Sequence, residues 1–259
     1  MIHHIFSRAI FAAFLILSAL VQGDDPPAVP DAIKAAVDSA ERPAEERARD
    51  PHRKPDQVLA FAGIEAGDRV ADLSAGTGYY TDILSRLVGS QGAVIAQNTP
   101  AIIQRFPQAF GEDGPFVKRL ASPQWTNVKR LDSNLDDPGL PKDLDAAIMI
   151  LFYHDTYWLG VDRAKMNRAI FDALKPGGVF LIVDHHAQAD SGDRDVQTFH
   201  RVDAELVKKE IMAAGFVLEG TSDLLRHEED TRDFSIFRDF QTNRDHTDRF
   251  IYKFVKPAM

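Results

Sequence analysis

The chain has 259 residues, of which 44% are hydrophobic and 27% charged, a balance typical of a globular protein with room for one large α/β domain. Its net charge is −9 and it has no lysine- and arginine-rich stripe interleaved with aromatic residues, which argues against a nucleic-acid partner. Cysteine is absent, so disulfide bonds and a cysteine-linked lipid anchor are excluded.

The first 23 residues have the pattern of a secretory signal peptide. Arg8 is the only charged residue among them, an apolar run extends from Ala9 to Val21, and Gly23 supplies a small residue at the expected cleavage point. The apolar run is too short to cross a bilayer comfortably. This pattern predicts a periplasmic or secreted protein. The alternative is an uncleaved leader that anchors the protein in a membrane.

An N-terminal linker and helical segment, residues 24–57, is predicted to precede the main domain, residues 58–259. Helical spacing from Asp31 to Glu46 is interrupted by Pro43, which predicts two short helices or one helix with a break. The polar sequence from Asp50 to Pro55 is predicted to be a loop.

From Asp68 onward, apolar runs and amphipathic stretches alternate, which predicts strands alternating with helices. The predicted strands are residues 69–73, 93–97, 128–131, 144–152, 179–183, 217–219 and 250–255. The main predicted helices are residues 81–88, 100–110, 163–174 and 203–214. Such alternation predicts a doubly wound α/β fold, in which ligands bind beyond the carboxyl ends of the central strands.

Residues 70–81, with the sequence VADLSAGTGYYT, are the most informative stretch. An apolar run ends in Asp72, a turn of small residues follows with glycine at 76 and 78, and a helix is predicted to start next. Such a turn allows close approach to the backbone, and free N–H groups at a helix start bind a carboxylate. The stretch predicts a site for a small molecule with a nucleoside or amino-acid part.

This stretch resembles the first motif of class I S-adenosylmethionine-dependent methyltransferases, in which an acid ends the first strand and a glycine-rich turn lies under the methionine part of the cofactor. Leu174 to Val179 resembles the turn before that family's fifth strand, and Ala213 to Phe216 resembles the entry to its sixth. The chain also resembles predicted bacterial methyltransferases that carry an export leader. The resemblance implies a Rossmann-like, mostly parallel seven-stranded sheet with helices on both faces and an antiparallel last strand.

The resemblance also implies S-adenosylmethionine as the cofactor. The residues it assigns to cofactor binding are Asp72, Ser74, Ala75, Gly76, Thr77, Gly78, Tyr79, Asn98 and Asp132. Two of them depart from the family pattern, because Ser74 replaces its first glycine and Asn98 replaces the acid that holds the ribose hydroxyls. A neutral amide lacks the charge assistance of a carboxylate, so weaker cofactor binding is predicted. Asp132 matches the residue that meets the adenine amino group, and an ordinary turn aspartate is the alternative.

A dinucleotide is the competing ligand for the same turn. The turn supplies only two of the three glycines of a dinucleotide fingerprint, because Thr81 stands in the third position. Asn98 also lacks the acidic group expected at the ribose. S-adenosylmethionine is therefore favoured over NAD or FAD.

Titratable side chains follow the fourth and fifth predicted strands, and adjacent strand ends of a parallel sheet lie close together. The predicted catalytic residues are His154, Asp155 and His185, with a histidine as the base that removes a proton from the acceptor. Imidazole and carboxylate groups also bind metals, so a metal-assisted enzyme that uses Asp155, Asp184 and His185 is an alternative.

The sequence thus predicts methyl transfer from S-adenosylmethionine to a small-molecule acceptor. A second alternative is a non-catalytic binding module that keeps the fold. Neither interpretation needs a nucleic-acid partner, and membrane contact is expected only if the leader stays uncleaved.

Overall fold

The computed structural model describes residues 28–238 and 245–258. The predicted signal peptide, residues 1–23, lies outside this part of the chain. Among the helices described, none has both the length and the apolar character needed to span a membrane.

In the described part of the chain, seven strands form one sheet. They are β1 (Arg69–Leu73), β2 (Ala93–Asn98), β3 (Val128–Asp132), β4 (Leu144–Ile150), β5 (Leu174–His185), β6 (Val217–Ser222) and β7 (Arg249–Val255). Their order is β3-β2-β1-β4-β5-β7-β6, with parallel pairing from β3 through β5. Strand β7 runs antiparallel between β5 and β6, so the predicted Rossmann-like fold and the predicted pairing of the last two strands are confirmed.

Helices cover both faces of this sheet. The described helices are α1 (Asp31–Val37), α2 (Ala44–Arg47), α3 (Asp50–Arg53), α4 (Pro55–Ala62), α5 (Tyr79–Val88), α6 (Pro100–Arg105), α7 (Pro107–Phe110), α8 (Pro115–Leu120), α9 (Asp155–Trp158), α10 (Arg163–Ala173), α11 (Val196–Phe199) and α12 (Ala204–Ala213). Alternate residues of each strand face opposite sides, so the sheet separates two hydrophobic cores. On β4, Ile148 belongs to the core beneath α1, α4 and α5, whereas Met149 belongs to the core beneath α10 and α12.

The predicted loop from Asp50 to Pro55 is wrong, because residues 50–53 form α3. Pro51 lies in the first turn of that helix, where the missing N–H group is not needed. Lys54 ends the helix in the left-handed region, with φ of 44°. Other boundaries differ as well; for example, Phe106 and Pro107 divide the predicted helix 100–110 into α6 and α7, and β5 starts five residues before the predicted Val179.

The N-terminal helices pack directly on the sheet domain. Ile33 and Val37 of α1 share a core with Ile83 of α5. The guanidinium of Arg249 in β7 donates a hydrogen bond of 2.7 Å to the carbonyl of His52. The hydroxyl of Tyr79, the first residue of α5, donates a hydrogen bond to Asp50, which places α3 beside the start of α5, where the glycine turn ends.

Candidate active site

The glycine turn leaves β1 in an unusual backbone conformation that side chains of β2 hold in place. Ser74, Gly76 and Gly78 all have left-handed φ values, of 54°, 60° and 97°. The Gln97 Oε1 atom accepts a hydrogen bond of 3.0 Å from the backbone N–H of Ser74. The Asn98 amide accepts one of 2.9 Å from the N–H of Gly76 and donates one of 3.2 Å to its carbonyl. The turn is therefore fixed independently of any ligand.

The two glycines of the turn meet different surroundings. A Cβ atom on Gly78 would lie 2.3 Å from the indole ring of Trp125, which is buried and donates a hydrogen bond of 2.7 Å to Asp82. Beside Gly76, by contrast, no atom of the described residues lies within 4 Å of the place a Cβ would take. Gly78 is needed for packing, whereas Gly76 keeps a space open above the backbone.

Ser74 adds a polar group without a partner to the same turn. Its hydroxyl oxygen is buried and has no hydrogen-bond partner among the residues that the structure describes. A buried polar atom without a partner costs free energy unless a ligand or water satisfies it. The hydroxyl and the open side of Gly76 therefore fit the polar end of a bound small molecule.

Asp72 lies at the end of β1 and is almost completely buried. Its carboxylate accepts a hydrogen bond of 2.6 Å from the hydroxyl of Thr81. Burial raises the pKa of Asp72 to about 6, although the bond from Thr81 acts in the opposite direction. The folded protein therefore holds this acid in an environment that disfavours its charge.

This shift predicts that Asp72→Asn stabilises the protein at high pH. The pKa of this aspartate is 3.8 in the unfolded chain and about 6 in the folded protein. Between these two pH values the folded state binds more protons than the unfolded state, so the free energy of unfolding falls as pH rises. Well above that range the variant is expected to raise the free energy of unfolding by about 2–3 kcal/mol, and below about pH 4 to change it little. Urea unfolding at both pH values measures this. A difference between variant and wild type that is the same at both would show that Asp72 titrates normally.

The other predicted cofactor residues take several positions around the turn. Ala75 donates its N–H to the carbonyl of Gln97 at 2.9 Å, and the carbonyl of Thr77 accepts from Arg119 at 3.1 Å. Tyr79 is buried against α3, where its hydroxyl donates to Asp50 and the guanidinium of Arg53 lies 4.2 Å from its ring centre. Tyr79 thus anchors the N-terminal helices over the start of α5.

Asn98 and Asp132 end neighbouring strands and are partners in the β2–β3 register. Asn98 is 1% exposed, and both polar atoms of its amide already bond to Gly76. Asp132 is partly exposed and accepts two hydrogen bonds of 2.8 Å from Arg130.

The residue that sequence reasoning missed is Gln97, a fully buried amide that also donates a hydrogen bond of 2.7 Å to the carbonyl of Ser133. A polar residue within an otherwise apolar strand was the available signal.

The ends of β4 and β5 bring the predicted catalytic residues together around Asp184. This fully buried carboxylate accepts hydrogen bonds from the backbone N–H groups of His154 and His185, at 2.7 and 2.8 Å. Its Oδ1 atom also lies 2.7 Å from Nδ1 of His154. Asp184 therefore orients the His154 ring and satisfies the backbone N–H groups at the ends of these two strands.

The side chains of His154, His200 and Trp158 surround the carboxylate of Asp155. Its Oδ1 atom lies 3.1 Å from Nε2 of His154 and 3.2 Å from Nδ1 of His200. The same atom accepts a hydrogen bond of 2.6 Å from the indole N–H of Trp158. His185 is not among the three residues of the described chain whose ligand atoms all lie within 4.8 Å of one another, and its Nδ1 lies 2.7 Å from the hydroxyl of Thr247. Asp155, Asp184 and His185 are therefore not arranged as one metal-ligand set.

The two predicted bases differ in charge, because their pKa values shift in opposite directions. Burial lowers the pKa of His154, but the carboxylates of Asp184 and Asp155 outweigh it and raise the pKa to about 10. Burial lowers the pKa of His185 well below its usual range, and the positive charges of His154 and Arg249 add to this effect. Without a ligand at neutral pH, His154 is an imidazolium and His185 a neutral imidazole.

A cleft of about 330 Å³ opens beside this group. It is lined by Arg105, Trp158, Gln197 and His200, so one of its walls is the outer side of the histidine–aspartate group. Aromatic, cationic and amide groups together suit an unsaturated small molecule with polar oxygens. This cleft is a candidate binding site for a small molecule.

Comparisons with known proteins place the sheet domain among familiar structures. No family model matches the sequence. The ubiquinone/menaquinone biosynthesis C-methyltransferase UbiE of Proteus mirabilis is 30% identical over 127 residues, which are 49% of this chain and 46% of that protein. The chain thus spans about half the length of the curated relatives it matches.

Among solved structures, an S-adenosylmethionine-dependent methyltransferase from Aquifex aeolicus is 19% identical, with 82% of this chain and 96% of that chain covered and a TM-score of 0.55. The fold is that of S-adenosylmethionine-dependent methyltransferases. The [4+2]-cyclase SpnF also shares it, with 18% identity, 80% of this chain and 81% of that chain covered and a TM-score of 0.55. Because one neighbour with this fold is named for a different reaction, the fold by itself does not specify the activity.

Proposed function

We propose that the protein is an S-adenosylmethionine-dependent methyltransferase that acts on a small-molecule acceptor. The observation that carries this proposal is the turn after β1, where the space beside Gly76 is open and Ser74 has a buried hydroxyl with no hydrogen-bond partner among the described residues. The fold and the names of the relatives support the same conclusion.

The residues of the turn fit the proposed cofactor. The Ser74 hydroxyl supplies a donor or acceptor, and Gly76 leaves room for close approach to the backbone. The N-terminus of α5, which begins at Tyr79, presents backbone N–H groups suited to a carboxylate. Asp132 is accessible at the end of β3 for the adenine end. When bound, the cofactor supplies an electrophilic methyl group on a sulfonium.

The acceptor is expected to enter through the cleft beside Trp158 and His200. An acceptor atom would form a bond to the methyl carbon as the methyl–sulfur bond breaks, which leaves S-adenosylhomocysteine. The chain's contribution is mainly to hold the two reactants in line. Where the acceptor carries a proton, His185 is the candidate base, since among the described residues its ring pairs with the hydroxyl of Thr247 rather than with a carboxylate.

Isothermal titration calorimetry of the folded protein with S-adenosylmethionine and S-adenosylhomocysteine tests the proposal. We expect both to bind, with affinity reduced by the lack of a free acid at the end of β2. Methyl transfer is then measured on a panel of acceptors, starting with precursors of the ubiquinone and menaquinone that the relative's name specifies. No binding of either ligand at millimolar concentration would overturn the proposal.

A non-catalytic binding module is the second candidate. The engagement of both amide atoms of Asn98 by Gly76 favours it, because the ribose then loses its expected partner. The calorimetric and turnover measurements separate the two candidates. Binding without transfer to any acceptor of the panel would favour the module.

We further propose that the protein acts in the periplasm or outside the cell, on the strength of the leader pattern in residues 1–23. Cleavage after Gly23 would leave Asp24 at the N-terminus of the exported protein, which N-terminal sequencing detects. An N-terminus that retains the leader would favour the membrane-anchored alternative.

A further inference from the structure

We propose that His154, Asp155 and His200 bind a divalent transition-metal ion beside the acceptor cleft. One ligand atom from each of these residues lies within 4.8 Å of the other two. Two imidazole nitrogens and one carboxylate oxygen form a donor set that suits zinc, iron, cobalt or nickel better than magnesium or calcium.

The spacing within the group matches a metal centre. The distances of 3.1 Å and 3.2 Å from the Asp155 oxygen to the two histidine nitrogens are close to the edge of a tetrahedron with metal–ligand bonds of about 2.0–2.1 Å, which is about 3.3 Å long. A metal ion would fit between these atoms after small side-chain movements and after Nε2 of His154 releases its proton to solvent, because a nitrogen bound to a metal carries no proton. The three residues come from two distant parts of the chain, the end of β4 with α9 and the end of α11.

The surroundings supply the supporting contacts that metal ligands usually have. Nδ1 of His154 faces the fully buried Asp184 at 2.7 Å, which fixes the ring so that Nε2 points at Asp155. A carboxylate behind a histidine in this way orients the ligand and increases its basicity. The indole N–H of Trp158 donates a hydrogen bond of 2.6 Å to the same Oδ1 atom of Asp155 and so helps to hold it in place.

The position of the group indicates what the ion would do. His200 and Trp158 line the cleft, so coordination positions not filled by protein would face the acceptor. An ion there would bind an oxygen of the acceptor and lower the pKa of a hydroxyl, which favours the nucleophilic form. This role rests on the proposed methyl transfer, whereas the metal site itself does not depend on it.

Metal binding is tested on the full chain after treatment with a chelator, with Zn²⁺ and Co²⁺ as the probes. We expect one ion per chain by calorimetry and by metal analysis of the dialysed protein, and a visible Co²⁺ spectrum typical of nitrogen and oxygen ligands. His200→Ala is expected to weaken binding at least tenfold, and Asp184→Asn about 10- to 100-fold through His154. His227→Ala is the matched control, because His227 is also half-buried and lies in another pocket.

Each outcome decides the proposal. Loss of binding in His200→Ala with normal binding in His227→Ala supports it. Absence of stoichiometric binding to the wild type, or equal binding by the wild type and His200→Ala, overturns it, as does loss of binding in His227→Ala alone. Calorimetry with S-adenosylmethionine on the same samples separates the two proposals, because either ligand can bind when the other does not.

Discussion

Gly78→Ala is expected to destabilise the protein by about 3 kcal/mol or more, since a left-handed alanine costs about 1–2 kcal/mol and overpacking a core another 1–3 kcal/mol. The new methyl group would lie 2.3 Å from the ring of Trp125, at a φ of 97°. Trp125 has little freedom to retreat, because its N–H donates to the buried Asp82 and its ring packs on Phe116. Urea unfolding followed by tryptophan fluorescence measures the loss.

Gly76→Ala is the matched control in the same turn. Its φ of 60° carries a similar backbone strain, but no described atom stands within 4 Å of the new methyl group, so a loss of only about 1–2 kcal/mol is expected. The methyl group would, however, occupy the space proposed for the cofactor, and binding of S-adenosylmethionine should weaken at least tenfold. Equal stability of the two variants would contradict the packing role of Gly78. If Gly76→Ala bound S-adenosylmethionine with wild-type affinity, the cofactor would not bind beside Gly76.

Features that depend on neighbours in the sequence were predictable. The bounds of β1 match the prediction because a short apolar run lies between two turn-forming stretches. The burial of β4 on both faces follows from its continuous apolar sequence. The helical character of residues 50–53 was not visible, because α3 is held by distant partners such as Arg42, which pairs with Asp50, and Tyr79.

In the candidate site, too, the sequence predicts which residues come together, whereas tertiary contacts determine how their side chains are arranged. Parallel strands predicted that groups after β4 and β5 would meet, and the structure brings His154 and Asp155 to Asp184. Their charge states could not be predicted, because they depend on which nitrogen faces which carboxylate. The assignment of Asn98 to the ribose came from its position at the strand end, and the structure adds that its amide is already bound to Gly76. Side-chain direction is set by tertiary contacts that no linear pattern contains.

Asp184→Ala is expected to destabilise the protein by about 3–5 kcal/mol, the usual cost of removing one partner of a buried ion pair. Asp184 is fully buried and accepts from the backbone N–H groups of His154 and His185 as well as from the His154 ring. Alanine would leave all three donors without an acceptor where water does not reach, and it would leave the His154 charge with one carboxylate instead of two. Urea unfolding in the presence of a chelator measures this cost without any contribution from a metal ion.

Asp172→Ala separates this effect from the loss of an acidic residue in general. Asp172 pairs with Arg168 on α10, where both side chains are largely exposed, so its removal should cost no more than about 0.5 kcal/mol. Asp184→Asn should fall between the two alanine variants, because an amide oxygen still accepts hydrogen bonds but lacks the charge that balances His154. If Asp184→Ala were as stable as Asp172→Ala, the strand ends would have to rearrange so that other groups satisfy His154 and His185. The site would then be held by something other than the buried carboxylate, and the orientation of His154 towards Asp155 would lose its physical basis.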